Sequence, residues 1–110
     1  MATRFTVTDH ATASRAAVEL PTYARTLAAI TTEAAEALAA LPAAADPQRC
    51  LDGLVVFRAG QAKVRRAENA VLLRLHEAGA SPTGLATALG INRLTVDRRL
   101  AAARAERDSD

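Results

Sequence analysis

Along residues 11–41 the apolar side chains return every three or four positions, at Leu20, Ala24, Leu27, Ile30, Ala34, Leu38 and Leu41. That spacing puts them on one stripe and predicts a long amphipathic helix carrying about three heptads of seam. Pro21 inside it predicts a kink or a second start. Pro42 ends the segment, and the alanines up to Asp46 predict a short turn. Asp46-Pro47 has the form of an N-cap followed by proline at the first helical position. From Pro47 towards Ala78 a second pattern puts Cys50, Phe57, Val64, Val71 and Ala78 on one face, with Leu54 and Leu75 beside them. Gly53 and Gly60 weaken it as a single rod, and a break near Gly60 is expected. Leu54 to Phe57 also suits a short strand, although no segment stands out as its partner. The polar, threonine-rich residues 1–10 alternate only once, at Phe5 and Val7, and are expected to form a flexible arm.

The most informative pattern lies between Lys63 and Arg107. A helix burying Val64, Ala67, Val71, Leu72 and Leu75 is expected to stop at Ala78-Gly79, where glycine suits a left-handed cap. Ser81-Pro82 restarts the chain as N-cap and first helical residue. The short helix that follows turns Leu85, Ala86 and Leu89 inward and ends at Gly90. Ile91 fills the angle, and Asn92 caps a third helix that buries Val96, Leu100 and Ala103. At about 100° per residue the opposite face carries Leu94, Arg98 and Ala101. Arg93, Asp97 and Arg104 lie on one shoulder, Thr95 and Arg99 on the other.

Composition sharpens this outline. The 110 residues include 28 alanines and only three aromatics, Phe5, Tyr23 and Phe57, so the fold is all-α with a thin core. Burial against a second copy is the simplest way to thicken it. Residues 1–60 carry five basic and six acidic side chains, residues 61–107 nine basic and four acidic. A basic half joined to a near-neutral half suits a polyanion-binding module attached to something else. Thirteen of the fourteen cations are arginine, the residue suited to bidentate contacts with phosphate or guanine.

Other chemistry is sparse. Cys50 is alone, which leaves no disulfide framework or thiol-rich metal site, and it is expected to pack as a small buried hydrophobe. His10 and His76 have no acid or thiol at ligand spacing. No catalytic residue, cofactor or metal is expected. The N-terminus has no signal-peptide core, and no apolar run reaches membrane-spanning length, so a cytoplasmic, nucleoid-associated protein is expected.

The stretch GASPTGLATALGINRLTVDRRL resembles the helix-turn-helix of resolvase and invertase recombinases, and that of the sigma-factor region that reads the −35 promoter element. Leu85, Ala86, Leu89, Gly90, Ile91, Thr95, Val96 and Leu100 carry the resemblance, which covers about residues 65–104. It departs at Gly84, where such motifs place an acidic helix former, and at Arg99, where they place an apolar or aromatic residue. The resemblance implies base contacts from Asn92, Arg93, Leu94, Asp97 and Arg98. Phosphate contacts would come from Thr83, Thr95 and Arg99, joined by Lys63, Arg65 and Arg66 of the preceding helix. Arg99 would then lie on an edge open to solvent or phosphate.

The expected architecture is a flexible arm (1–10), a helical dimerisation or partner-binding region (11–60) and a wingless three-helix DNA-binding unit (61–107). The function expected from it is sequence-dependent binding of duplex DNA by a small dimeric bacterial, plasmid or phage transcription regulator. The competing expectation is a protein–protein adaptor. In that case residues 11–60 bind a second protein, and the trihelical unit docks a partner or recruits it to DNA.

Overall fold

A computed structural model describes residues 3–109. They form five helices: α1 (His10–Ala39), α2 (Pro47–Ala59), α3 (Gln61–Glu77), α4 (Pro82–Leu89) and α5 (Arg93–Asp108). There is no strand among the described residues beyond an isolated bridge between Phe5 and Ala80, so the strand alternative for residues 54–57 is corrected to helix. The protein is elongated, 56 × 28 × 25 Å, because one 30-residue helix sets its long axis.

α1 starts at Asp9, whose carboxylate accepts from the Thr12 amide at 3.1 Å and the Thr12 hydroxyl at 2.8 Å. These bonds satisfy one of the orphan donors of the first turn and hold the Asp9 carboxyl below its ordinary pKa. α1 continues through Pro21 without a second start. Most of its apolar stripe is covered within the chain: Ala13, Ala16 and Ala34 are buried and Leu20, Tyr23, Leu27, Ile30 and Leu38 are half-buried, while Ala24 is exposed. The stripe expected to hold a second copy therefore packs against α2 and α3, which return antiparallel along α1.

Asp46 caps α2 through the Arg49 amide at 2.8 Å, and the expected break falls at Gly60. Gly60 also lies where the return arm comes close to α1, since a Cβ there would sit 2.9 Å from that of Ala34. α1 packs on α3 as well as on α2. Cys50 is exposed rather than buried.

Arginines fasten the helices to one another. Arg74 is buried on α3, donates to the Tyr23 hydroxyl at 2.7 Å and pairs with Glu19 at 3.4 Å. Its guanidinium also lies over the Tyr23 ring, 4.1 Å from the centroid. Arg107 of α5 pairs with Glu77 of α3 at 2.8 Å.

The arm also departs from expectation over residues 3–9. The Thr6 amide donates to the Gly79 carbonyl at 3.0 Å, laying this segment across the α3–α4 turn. His10, the last residue of the expected flexible arm, begins α1, and Met1 and Ala2 lie outside the described residues.

Candidate nucleic-acid interface

The α3–α4–α5 unit is built from two glycine-terminated turns. After α3, Gly79 adopts φ 125° while its amide donates to His76 and the Ala80 amide donates to Leu75, both at 3.0 Å. After α4, Gly90 adopts φ 67°, its amide donates to Thr87 at 3.3 Å, and the Ile91 amide donates to Ala86 at 3.0 Å. Both are Schellman closures, which satisfy the last carbonyls of a helix by a left-handed residue. His76 is engaged locally, its Nδ1 lying 2.8 Å from the Ala80 carbonyl oxygen.

The next helix starts as abruptly as the last one stops. Ser81 accepts from the Gly84 amide at 2.9 Å, and Asn92 accepts from the Leu94 amide at 2.7 Å. Between these caps, Leu72, Leu73, Ala80, Leu85, Ala86, Val96, Leu100 and Ala103 form one buried cluster, with Leu75 and Ile91 packed against it. Ile91 therefore fills the angle as expected. Leu89 does not turn inward, being 51% exposed, and the fully buried Leu73 is a core residue that the periodicity did not single out.

Burial of Val96, Leu100 and Ala103 leaves the other side of α5 in solvent. Leu94 and Arg98 are exposed there, flanked by Arg93, Asp97 and Arg104. Arg93 bridges two of its neighbours, donating to the Thr83 hydroxyl at 2.8 Å and lying 3.8 Å from the Asp97 carboxylate. Asn92, Arg93, Leu94, Asp97, Arg98 and Thr83 thus come together along one exposed edge of α4 and α5. Asn92 arrives with its side-chain oxygen already engaged as a cap. Thr95 is half-buried.

Arg99 is corrected. It points back towards α3, where Nε donates to Asn69 Oδ1 at 2.6 Å and the guanidinium pairs with Glu68, leaving the side chain 11% exposed. It holds α5 to α3 and is not on an open edge. The arginine satisfies Asn69, a buried polar residue whose need for a partner the sequence pattern did not reveal.

The α3 cations do not form a single cluster. Lys63 and Arg66 line a groove of about 410 Å³ between α1, α3 and α5, together with Tyr23, Ile30 and Arg74. Arg65 lies in a separate hollow beside Glu68, the partner of Arg99. Of the nine cations in the basic half, Arg74, Arg99 and Arg107 are spent on helix docking and Arg93 on Thr83 and Asp97. Lys63, Arg65, Arg66, Arg98 and Arg104 have no ion pair among the described residues. Arg104, on the same shoulder of α5 as Arg93 and Asp97, is exposed and is not among the expected contact residues.

Among the described residues there is no group of three or more His, Cys, Asp or Glu side chains that could hold a metal ion, and no helix is long and apolar enough to cross a membrane. Compared with protein-family models, with curated proteins and with solved structures, the chain gives no match.

Proposed function

We propose that the chain binds duplex DNA in a sequence-dependent manner, inserting the exposed face of α5 into the major groove, and that it acts as a small dimeric transcription regulator. One observation carries this proposal. α5 is a two-faced helix, fixed on one side by Val96, Leu100 and Arg99, that offers Leu94 and Arg98 on the other, Arg98 having no ion pair among the described residues. A helix about 10–12 Å wide fits the major groove, where an arginine fork meets the two acceptors of guanine and an aliphatic tip meets the thymine methyl. The resemblance to recombinase and sigma-factor helix-turn-helix units supports the same assignment. The Arg93–Asp97 pair would hold one further donor in place at the groove.

The revised contact set is smaller than the sequence implies. In this reading Arg98, Leu94, Arg93, Asp97 and Asn92 read bases, and Thr83, Thr95, Arg65 and Arg104 contact the flanking phosphates. Lys63 and Arg66 add positive potential from the groove beside α1.

Two arginines distinguish the roles. Arg98→Ala should cost about 1–3 kcal/mol at a preferred site and relax preference at one base pair per half-site. Arg65→Ala should weaken all sequences about equally and make the salt slope shallower by about one contact per subunit. Equal losses on preferred and scrambled duplexes for Arg98→Ala would remove α5 as the reading helix.

The adaptor alternative is favoured by a separate observation, the half-exposed Leu89 and Leu94 on this same unit. A docked protein would cover both leucines and its binding would vary little with salt.

A further inference from the structure

The outer face of α2 has no partner among the described residues. Leu51, Leu54, Val55 and Arg58 are spaced i, i+3, i+4 and i+7, so they share a face that lies opposite the buried Gly53, which packs on Leu38 of α1. Leu51, Leu54, Val55 and the neighbouring Val56 are 45–58% exposed. On the shared face Leu51, Leu54 and Val55 leave roughly 300 Å² of apolar surface uncovered, the size of the largest patch on a typical monomer, which is often functional.

We propose that this face of α2 binds the same face of a second copy, the two helices crossing antiparallel near Val55. Deepening the dimeric DNA-binding proposal, this assigns the interface to α2 and removes it from the α1 stripe, which is covered by α2 and α3. The charges are self-complementary about Val55. Asp52 precedes it by three residues and Arg58 follows it by three, so a two-fold axis there sets Arg58 of each copy beside Asp52 of the other. Arg58 has no ion pair among the described residues, while Asp52 accepts only from the Gln48 amide, at 2.9 Å. The area also suits a second copy. Two such faces with their rims bury roughly 1,000 Å², enough for a specific but exchangeable dimer.

The spacing of the α5 helices fits as well, and this point alone rests on the DNA proposal. Arg99 fastens α5 beside Glu68 and Asn69, about 14 residues beyond Val55 along the return arm. At 1.5 Å per residue, that puts each α5 about 20 Å from the two-fold axis and the pair about 40 Å apart. Two successive major grooves on one side of a duplex are about 34 Å apart.

Sedimentation equilibrium of the full chain at concentrations up to about 100 µM tests the assignment. A dimer is expected, and Val55→Glu should convert it to a monomer of unchanged helicity, because Val55 is 58% exposed within one chain. In a Cys50→Ser background, Val55→Cys should cross-link to itself under mild oxidation, whereas Val18→Cys, at an 80% exposed position on α1, should not. Asp52→Arg or Arg58→Asp alone should raise the dimer dissociation constant several-fold, and the two together should restore it. A monomer throughout, a dimer indifferent to Val55→Glu, or equal cross-linking at Val18 and Val55 would overturn the proposal. A monomer that still binds half-site DNA defeats this interface and leaves the DNA reading standing. A Val55-dependent dimer that ignores DNA does the reverse.

Discussion

Arg98 and Arg99 are adjacent in sequence and opposite in role, so replacing each with methionine separates stability from recognition. Arg99→Met keeps an apolar stem of similar length and deletes the bonds to Asn69 and Glu68. Asn69 is only 7% exposed, and stranding its amide oxygen costs about 1–3 kcal/mol. The Glu68 side chain is 45% exposed, which limits that pair to about 0–1 kcal/mol after solvent screening. The expected loss is therefore about 2 kcal/mol, a fall of roughly 10 °C in the midpoint of thermal unfolding for a chain of this size. Arg98→Met, on the exposed face, should stay within about 0.5 kcal/mol of the parent. Urea unfolding followed by circular dichroism, with all proteins at one concentration, measures both. Adding Asn69→Leu to Arg99→Met removes the stranded acceptor and should recover most of the loss. If Arg99→Met were as stable as the parent, or Arg98→Met as unstable as Arg99→Met, α5 would not dock on α3 through this contact.

Two further outcomes follow from the local geometry. Gly90→Ala should cost about 1–2 kcal/mol from its left-handed backbone alone, since nothing lies within 4 Å of an added Cβ. Gly79→Ala should cost more and release the arm, seen as faster amide exchange at Thr6, because its Cβ would lie 2.8 Å from the Thr6 nitrogen. The Asp9 carboxyl titrates below its unfolded value because Thr12 bonds to its charged form. Its contribution is therefore complete above the ordinary carboxylate pKa of about 4 and is lost as pH falls through the lower folded value. Measured against the intrinsic exchange rate at each pH, protection of the first-turn amides of α1 should fall on acidification, and Asp9→Asn should flatten that dependence.

Much of this architecture was legible because local signals and global packing agree. Caps at Asp46, Ser81 and Asn92 and the stops at Gly79 and Gly90 mark helix ends with little dependence on the rest of the fold. The period of Val96, Leu100 and Ala103 likewise fixed which side of α5 is buried. What periodicity cannot show is which apolar stripe meets which. The α1 stripe suits a second copy as well as it suits the chain's own return arm, and only the close crossing at Gly60 distinguishes them. Arg99 was misplaced for a similar reason. On the helical wheel it lies on a shoulder, and its direction is decided by a buried asparagine 30 residues earlier. Leu89 follows Leu85 by one turn, an inward position by periodicity, yet it is the last residue of the eight-residue α4 and is 51% exposed. The basic half of the sequence mixes docking arginines with outward ones, and only their partners tell them apart.

The central claim is that the outer face of α5 reads duplex DNA. The most direct measurement is fluorescence anisotropy of the full chain on a duplex enriched from a random pool and on its scrambled counterpart, across a range of salt concentrations. The account predicts tighter binding to the enriched duplex at every salt concentration, and a log–log slope of about −0.9 for each phosphate neutralised on both duplexes. Affinity that is indifferent to salt, or equal on the two duplexes throughout, would contradict it.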